Sequence, residues 1–71
     1  MTNGTISLTL NGKPRDVPAG TSLPSLIDLL GVDRRMIAVA HNGDVVPRDR
    51  YDDVVLGDGD RVEVVRMVGG G

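Results

Sequence analysis

Cysteine, phenylalanine and tryptophan are all absent from this chain, which holds one tyrosine and one histidine among its 71 residues. Each absence excludes a class of function. Without cysteine there is no disulfide framework and no thiolate chemistry, and His41 alone cannot build a zinc site. Almost without aromatic rings, the chain has no stacking platform for single-stranded nucleic acid. Its net charge of −2 argues against binding a phosphate backbone. No stretch approaches the roughly 20 apolar residues of a membrane span. Met1-Thr2-Asn3-Gly4 is polar, with no signal-peptide core behind it. A soluble, cytoplasmic protein is expected, and the lack of cysteine suits that compartment.

What remains is aliphatic. A chain of this length makes one small domain that buries only about 60% of its unfolded surface. Val, Leu and Ile must supply the core, and their spacing outlines the elements. Thr5 to Leu10 alternates, with Ile6, Leu8 and Leu10 on one face, as in a half-buried strand. Asn11-Gly12 is a hairpin signal. The return strand, roughly Lys13 to Val17, carries Pro14, which cannot donate to a ladder and marks an edge. Thr21 or Ser22 then offers an N-cap, Pro24 suits a first helical turn, and Leu23, Leu26, Ile27 and Leu30 form one helical stripe that Gly31 stops.

Ile37 to Ala40 reads as a third strand, Asn42-Gly43 as a second hairpin turn, and Asp44-Val45-Val46 as its return, ended by Pro47. Pro47 to Asp53 is polar and turn-like, with Tyr51 as its anchor. Val54-Val55-Leu56 is a brief apolar stretch, Gly57-Asp58-Gly59-Asp60 a turn, and Arg61 to Val68 the last strand. The order strand, strand, helix, strand, strand, strand predicts an α+β fold. A mixed sheet of four or five strands would carry one main helix across one face. If the first and last strands pair in parallel at its centre, the arrangement is a β-grasp, with a domain over residues 1–67 and a flexible tail over 68–71.

That tail is Val68-Gly69-Gly70-Gly71. Read as a true C-terminus, it has no side chain on its last three residues and is free to lie extended in a narrow channel of another protein. On the last strand, Val62 and Val64 are expected to face the core and Val65 and Met67 to face away. With Arg66, these make a candidate partner-binding patch at the base of the tail. His41, one residue before a turn, is expected to be simply exposed. Asp58 and Asp60 are read as turn formers rather than a calcium loop, because two carboxylates fall short of that ligand count. No metal site, no nucleophile paired with a base and no phosphate-cradling loop is visible, so the chain is not expected to be an enzyme.

Three segments together, Ala38-Val39-Ala40-His41-Asn42-Gly43-Asp44-Val45-Val46-Pro47-Arg48, then Gly59-Asp60-Arg61-Val62-Glu63-Val64, then the closing Gly70-Gly71, resemble the ThiS/MoaD family of ubiquitin-like sulfur carriers. The resemblance covers nearly the whole chain. It implies a carrier of sulfur for thiazole formation in thiamine biosynthesis. A ThiF-like adenylyltransferase, related to ubiquitin-activating enzymes, would use ATP to adenylate the carboxylate of Gly71. A persulfide sulfur donor would then convert it to a thiocarboxylate, which a ThiG-like thiazole synthase consumes. Gly69 and Gly70 would be the residues inserted into the partners' channels, Val65, Arg66 and Met67 the docking patch, and the carrier itself a monomer with no permanently bound cofactor. Two alternatives stay open: a MoaD-type carrier serving molybdopterin synthesis, and a ubiquitin-like interaction or conjugation module.

Overall fold

A computed structural model describes residues 4–67. The elements run β1 (Thr5–Leu10), β2 (Lys13–Pro18), α1 (Leu23–Leu30), β3 (Ile37–His41), β4 (Asp44–Val46) and β5 (Arg61–Arg66). Single 3-10 stretches cover Arg34–Met36 and Arg48–Asp53. The sheet order is β2-β1-β5-β3-β4. β1 and β5 are parallel neighbours at the centre, while β1–β2, β3–β4 and β3–β5 are antiparallel. This is the mixed five-stranded β-grasp expected from the order of elements.

Alternation decides which residues reach the core. Leu8, Val17, Ile37, Val39 and Val62 are at most 3% exposed and meet Leu23, Leu26 and Ile27 of α1. The opposite faces of these strands, including Thr5, Ser7 and Thr9 on β1, are left to solvent. β2 is an edge strand, and Pro14 sits on it opposite Thr9, where its missing N–H interrupts least. The loop between β4 and β5 closes over the other end of the helix. Tyr51 is buried within it, Leu56 joins the core, and Leu23 N–H donates to the Val54 carbonyl at 2.9 Å. Tyr51 is thus the expected anchor of that loop.

The helix is short and is fixed at both ends. Ser22, in extended backbone, accepts from Ser25 N–H on its hydroxyl, and Pro24 occupies the first turn. Gly31 adopts φ 71°, ψ 26° and donates its N–H to the Asp28 carbonyl. A Cβ on Gly31 would meet nothing within 4 Å, so a substitution there is resisted by backbone conformation alone. Gly31→Ala is expected to cost about 1 kcal/mol, read as a lower urea midpoint with an unchanged slope. No loss of midpoint would show that α1 tolerates another C-terminal geometry.

Candidate functional site

The expected tail, Gly69, Gly70 and Gly71, lies outside the described residues, as does Val68. What the structure defines is the strand that leads into it. β5 is flanked by β1 on one side and β3 on the other. Its ladder with β3 runs without interruption from His41↔Val62 to Ile37↔Arg66. Met67 N–H then donates to the Met36 carbonyl at 2.9 Å and carries the pairing one residue further. The base of the tail is therefore a central strand, the most constrained position in a sheet this small.

Both Asn-Gly turns do more than reverse the chain. Asn11 and Asn42 hold φ 50° and φ 52°, the left-handed geometry that asparagine tolerates better than most residues. On the β1 side, Thr9 N–H and Asn11 N–H donate to the carbonyls of Asp60 and Val62 at 2.9 Å each. The next rung is made by a side chain. Asn11 Oδ1 accepts from Val64 N–H at 2.8 Å, and Asn11 Nδ2 donates to the Val64 carbonyl at 3.2 Å. On the β3 side, Asn42 Oδ1 accepts from Arg61 N–H at 2.8 Å, and Asn42 N–H donates to the Arg61 carbonyl at 2.7 Å. Read only as hairpin signals in the sequence, these asparagines also hold β5. The signal was visible in residue type, but not the partner, which depends on which strand passes beside each turn.

His41 differs from its expected role as an exposed residue. Its side chain is 24% exposed and its Nε2 lies 2.7 Å from Asp60 Oδ2. Asp60 also accepts from Gly57 N–H at 2.8 Å and from Asn42 Nδ2 at 3.2 Å. His41 falls on the inward face of β3, beside Val62, and burial there needs a polar partner. Asp58 and Asp60 do form the turn before β5, and Asp58 Oδ1 additionally accepts from Ser7 N–H at 2.9 Å. Among the described residues, no three His, Cys, Asp or Glu side chains gather as a metal site. No described helix is long and apolar enough to cross a membrane.

Burial pushes the Asp60 carboxyl up, but hydrogen bonds from His41, Gly57 N–H and Asn42 outweigh it and hold it below the usual carboxylate range. The sign for acid stability follows. With a lower pKa in the folded state, the unfolded chain takes up the proton first as pH falls. The contribution is therefore complete well above the unfolded value of about 3.9 and is lost as pH drops through the folded one. Wild type should lose urea midpoint between about pH 6 and about pH 3, and Asp60→Asn should lose less over the same interval. An equal loss in both proteins would remove Asp60 from the acid response. Asp33, lowered to about 2 chiefly by the Arg35 side chain and then by its backbone N–H, contributes to both proteins alike.

The candidate partner patch divides between two faces. Val65 is 59% exposed and pairs with Ala38 on the face away from α1, next to the row Val45, Ala40 and Glu63. Val45 is itself 76% exposed, so this open face carries an apolar strip directly before the tail. Arg66, opposite the buried Ile37, falls on the helix side and lines a cleft of about 210 Å³ with Gly31, Val32, Asp33, Met36 and Ile37. Met67 is 46% exposed, one residue past the strand. Val45, Ala38 and Ala40 were not singled out from sequence, because the strip exists only once β3, β4 and β5 are in register.

Comparison with known proteins matches this fold and its last strand. The ThiS family model matches residues 8–71. The sulfur carrier protein ThiS of Bacillus subtilis (strain 168) is 36% identical over 67 residues, covering 90% of this chain and 98% of that protein. A thiazole synthase of Paramagnetospirillum magneticum is 39% identical over 66 residues, covering 93% of this chain and 20% of that protein. The chain thus spans about one fifth of the length of the first curated relatives it matches. Among solved structures, the crystal structure of the thiamine biosynthesis protein ThiS from Geobacter metallireducens is similar with a TM-score of 0.81 at 35% identity, covering 93% of this chain and 100% of that one. With its parallel β1–β5 centre, the helix α1 packed across the sheet and the glycine ending, the chain belongs to the ThiS family.

Proposed function

We propose that this chain is a sulfur carrier for thiazole formation in thiamine biosynthesis, and that its reactive group is the carboxylate of Gly71. The observation that carries this reading is the family match, which runs through the last strand and its glycines to residue 71. The name of the Bacillus subtilis relative supports the carrier role. The thiazole synthases in which a similar segment makes up a fifth of the protein support a ThiG-like partner. A carboxylate is a poor electrophile. A ThiF-like adenylyltransferase would activate it with ATP, releasing pyrophosphate. The outer sulfur of a donor persulfide would then displace AMP to give an acyl disulfide. A second thiol would cleave that S–S bond, leaving the thiocarboxylate and becoming oxidised to a disulfide. With no cysteine in the chain, a side-chain persulfide has no place to form. In this reading the chain is a co-substrate rather than an enzyme, a cytoplasmic monomer that binds no cofactor of its own. Residues 1–67 would make the β-grasp domain and 68–71 the threading tail, with Gly69 and Gly70 inside the partner's channel.

Docking of the activating enzyme falls to Val65 and the strip around it, with Met67 beside the tail and Arg66 at the rim. Val65→Asp places a charge in that strip without touching the core. It is expected to lower kcat/KM for adenylation about 10- to 100-fold, with the urea midpoint within about 0.5 kcal/mol of wild type. Unchanged adenylation kinetics would move the docking surface elsewhere.

The test of the function itself is fragment mass after reaction with ATP, the adenylyltransferase, a persulfide donor and a reducing thiol. Exchange of oxygen for sulfur is expected on Gly71. Oxidation of Met1, Met36 or Met67 gives nearly the same mass rise, so the change must be placed on Gly71 by fragmentation or thiol alkylation. An unmodified Gly71, with an enzyme active on another carrier, would favour the interaction module. Sulfur that passes to molybdopterin synthesis but not to thiazole would favour the MoaD-type reading.

A further inference from the structure

The backbone register of β1 with β5 ends at Leu10↔Val62. Beyond it, the chain turns away at Asn11-Gly12 into β2, and the carboxamide of Asn11 takes the place of the next rung on both Val64 N–H and Val64 C=O. Asn-Gly is also the dipeptide most prone to spontaneous deamidation, because glycine leaves the following N–H unhindered. Gly12 fits this description, since nothing lies within 4 Å of where its Cβ would be, and both turn residues are exposed to water. The atoms that clamp β5 are the atoms this reaction alters.

We propose that Asn11 is a modification site: its deamidation is gated by the clamp on Val64 and, once it occurs, releases β5 from β1 at the base of the tail. In the reaction the Gly12 nitrogen attacks Asn11 Cγ, the Cγ–Nδ2 bond breaks, and ammonia leaves. Water then opens the succinimide to aspartate or isoaspartate at position 11. The net change is amide plus water to carboxylate plus ammonium, with no oxidant or reductant. While Oδ1 and Nδ2 are both bonded to Val64, Cγ is not free to swing toward the Gly12 nitrogen, so the folded strand slows the reaction. After it, a carboxylate faces the Val64 carbonyl where a donor stood, and the isoaspartate product adds a methylene to the turn. Closure is then unfavourable. The inference rests on the ladder geometry and is independent of the sulfur chemistry proposed above.

The experiment is to age the whole chain at mildly alkaline pH, folded and in urea, and to map position 11 by peptide mass, separately from Asn3 and Asn42. Deamidation at Asn11 is expected to be at least about tenfold slower in the folded protein, the effect of two hydrogen bonds that must open first. The aged species, separated by its extra negative charge, should show Val64 N–H exchanging about tenfold faster, with Leu26 N–H in α1 unchanged. Asn11→Gly keeps the left-handed turn and removes only the carboxamide, so it should fold and reproduce the faster Val64 exchange. Equal deamidation rates folded and unfolded would overturn the gate. Unchanged Val64 exchange in both the aged protein and Asn11→Gly would overturn the clamp. Faster exchange spread evenly over Val64 and Leu26 would reduce Asn11 to general stability and also overturn the proposal.

Discussion

Gly70→Val is expected to abolish thiocarboxylate formation, by at least about 100-fold in rate, while leaving the domain's unfolding curve unchanged. Glycine at the penultimate position presents no Cβ to a channel wall, and valine presents a branched one that also confines the backbone. For a reaction at the next residue's carbonyl carbon, a displacement of about 1 Å suffices for a loss of this size. Gly71→Ala should be milder, because a single methyl beside the reacting carbon is smaller than an isopropyl group. The measurement is single-turnover adenylation and sulfur transfer, read by mass, on variants shown to be folded. A correctly folded Gly70→Val chain that acquires sulfur at the normal rate would defeat the threading account, although not the fold.

The second large effect is on stability. Tyr51 is the chain's only tyrosine, and the chain has no phenylalanine or tryptophan. It is 1% exposed, in the loop that closes the core, with the Arg34 guanidinium carbon 5.3 Å from its ring centroid. Tyr51→Ala removes that ring and should cost about 4 kcal/mol, mostly as an unfilled cavity. The stacked cation accounts for about 0.5–1 kcal/mol of it. A domain of this length is stable by only about 4–10 kcal/mol, so the melting temperature should fall by roughly 20 °C. Tyr51→Phe keeps the ring volume and should stay within about 1 kcal/mol. Near-wild-type melting of Tyr51→Ala would mean that the loop collapses into the vacated space.

Much of this architecture is legible from local pattern. Ile6, Leu8 and Leu10 at spacing two, and Leu23, Leu26, Ile27 and Leu30 at spacing three and four, encode their elements in neighbouring residues. The same holds for the two Asn-Gly turns and for Gly31. The parallel centre followed from element order plus the need to bury both apolar ends. What escaped the sequence depends on partners far along the chain. The Asn11–Val64 bonds span 53 positions, and His41 meets Asp60 19 residues away. No local period records such a meeting, so His41 reads as an ordinary turn-flanking residue until β3 and β5 are set side by side. The apolar strip is similar, since Val45 and Val65 become near neighbours only through Ala38 and Ala40 between them. The 3-10 stretches were missed for a different reason, as turns of three to six residues carry too little periodicity to register.

The sheet order β2-β1-β5-β3-β4 has a consequence in time as well as space. β5 is the last of the described strands in chain order, yet it lies between the two hairpins and, among the described residues, is the strand that joins them. Until it has emerged, β1–β2 and β3–β4 are separate ribbons, each marginal in water. The closing contacts are among the most distant in sequence, and they therefore form late and slowly. A chain interrupted before Arg61 has no middle to its sheet and stays open to proteolysis. Completion of the sheet thus requires that translation has passed β5.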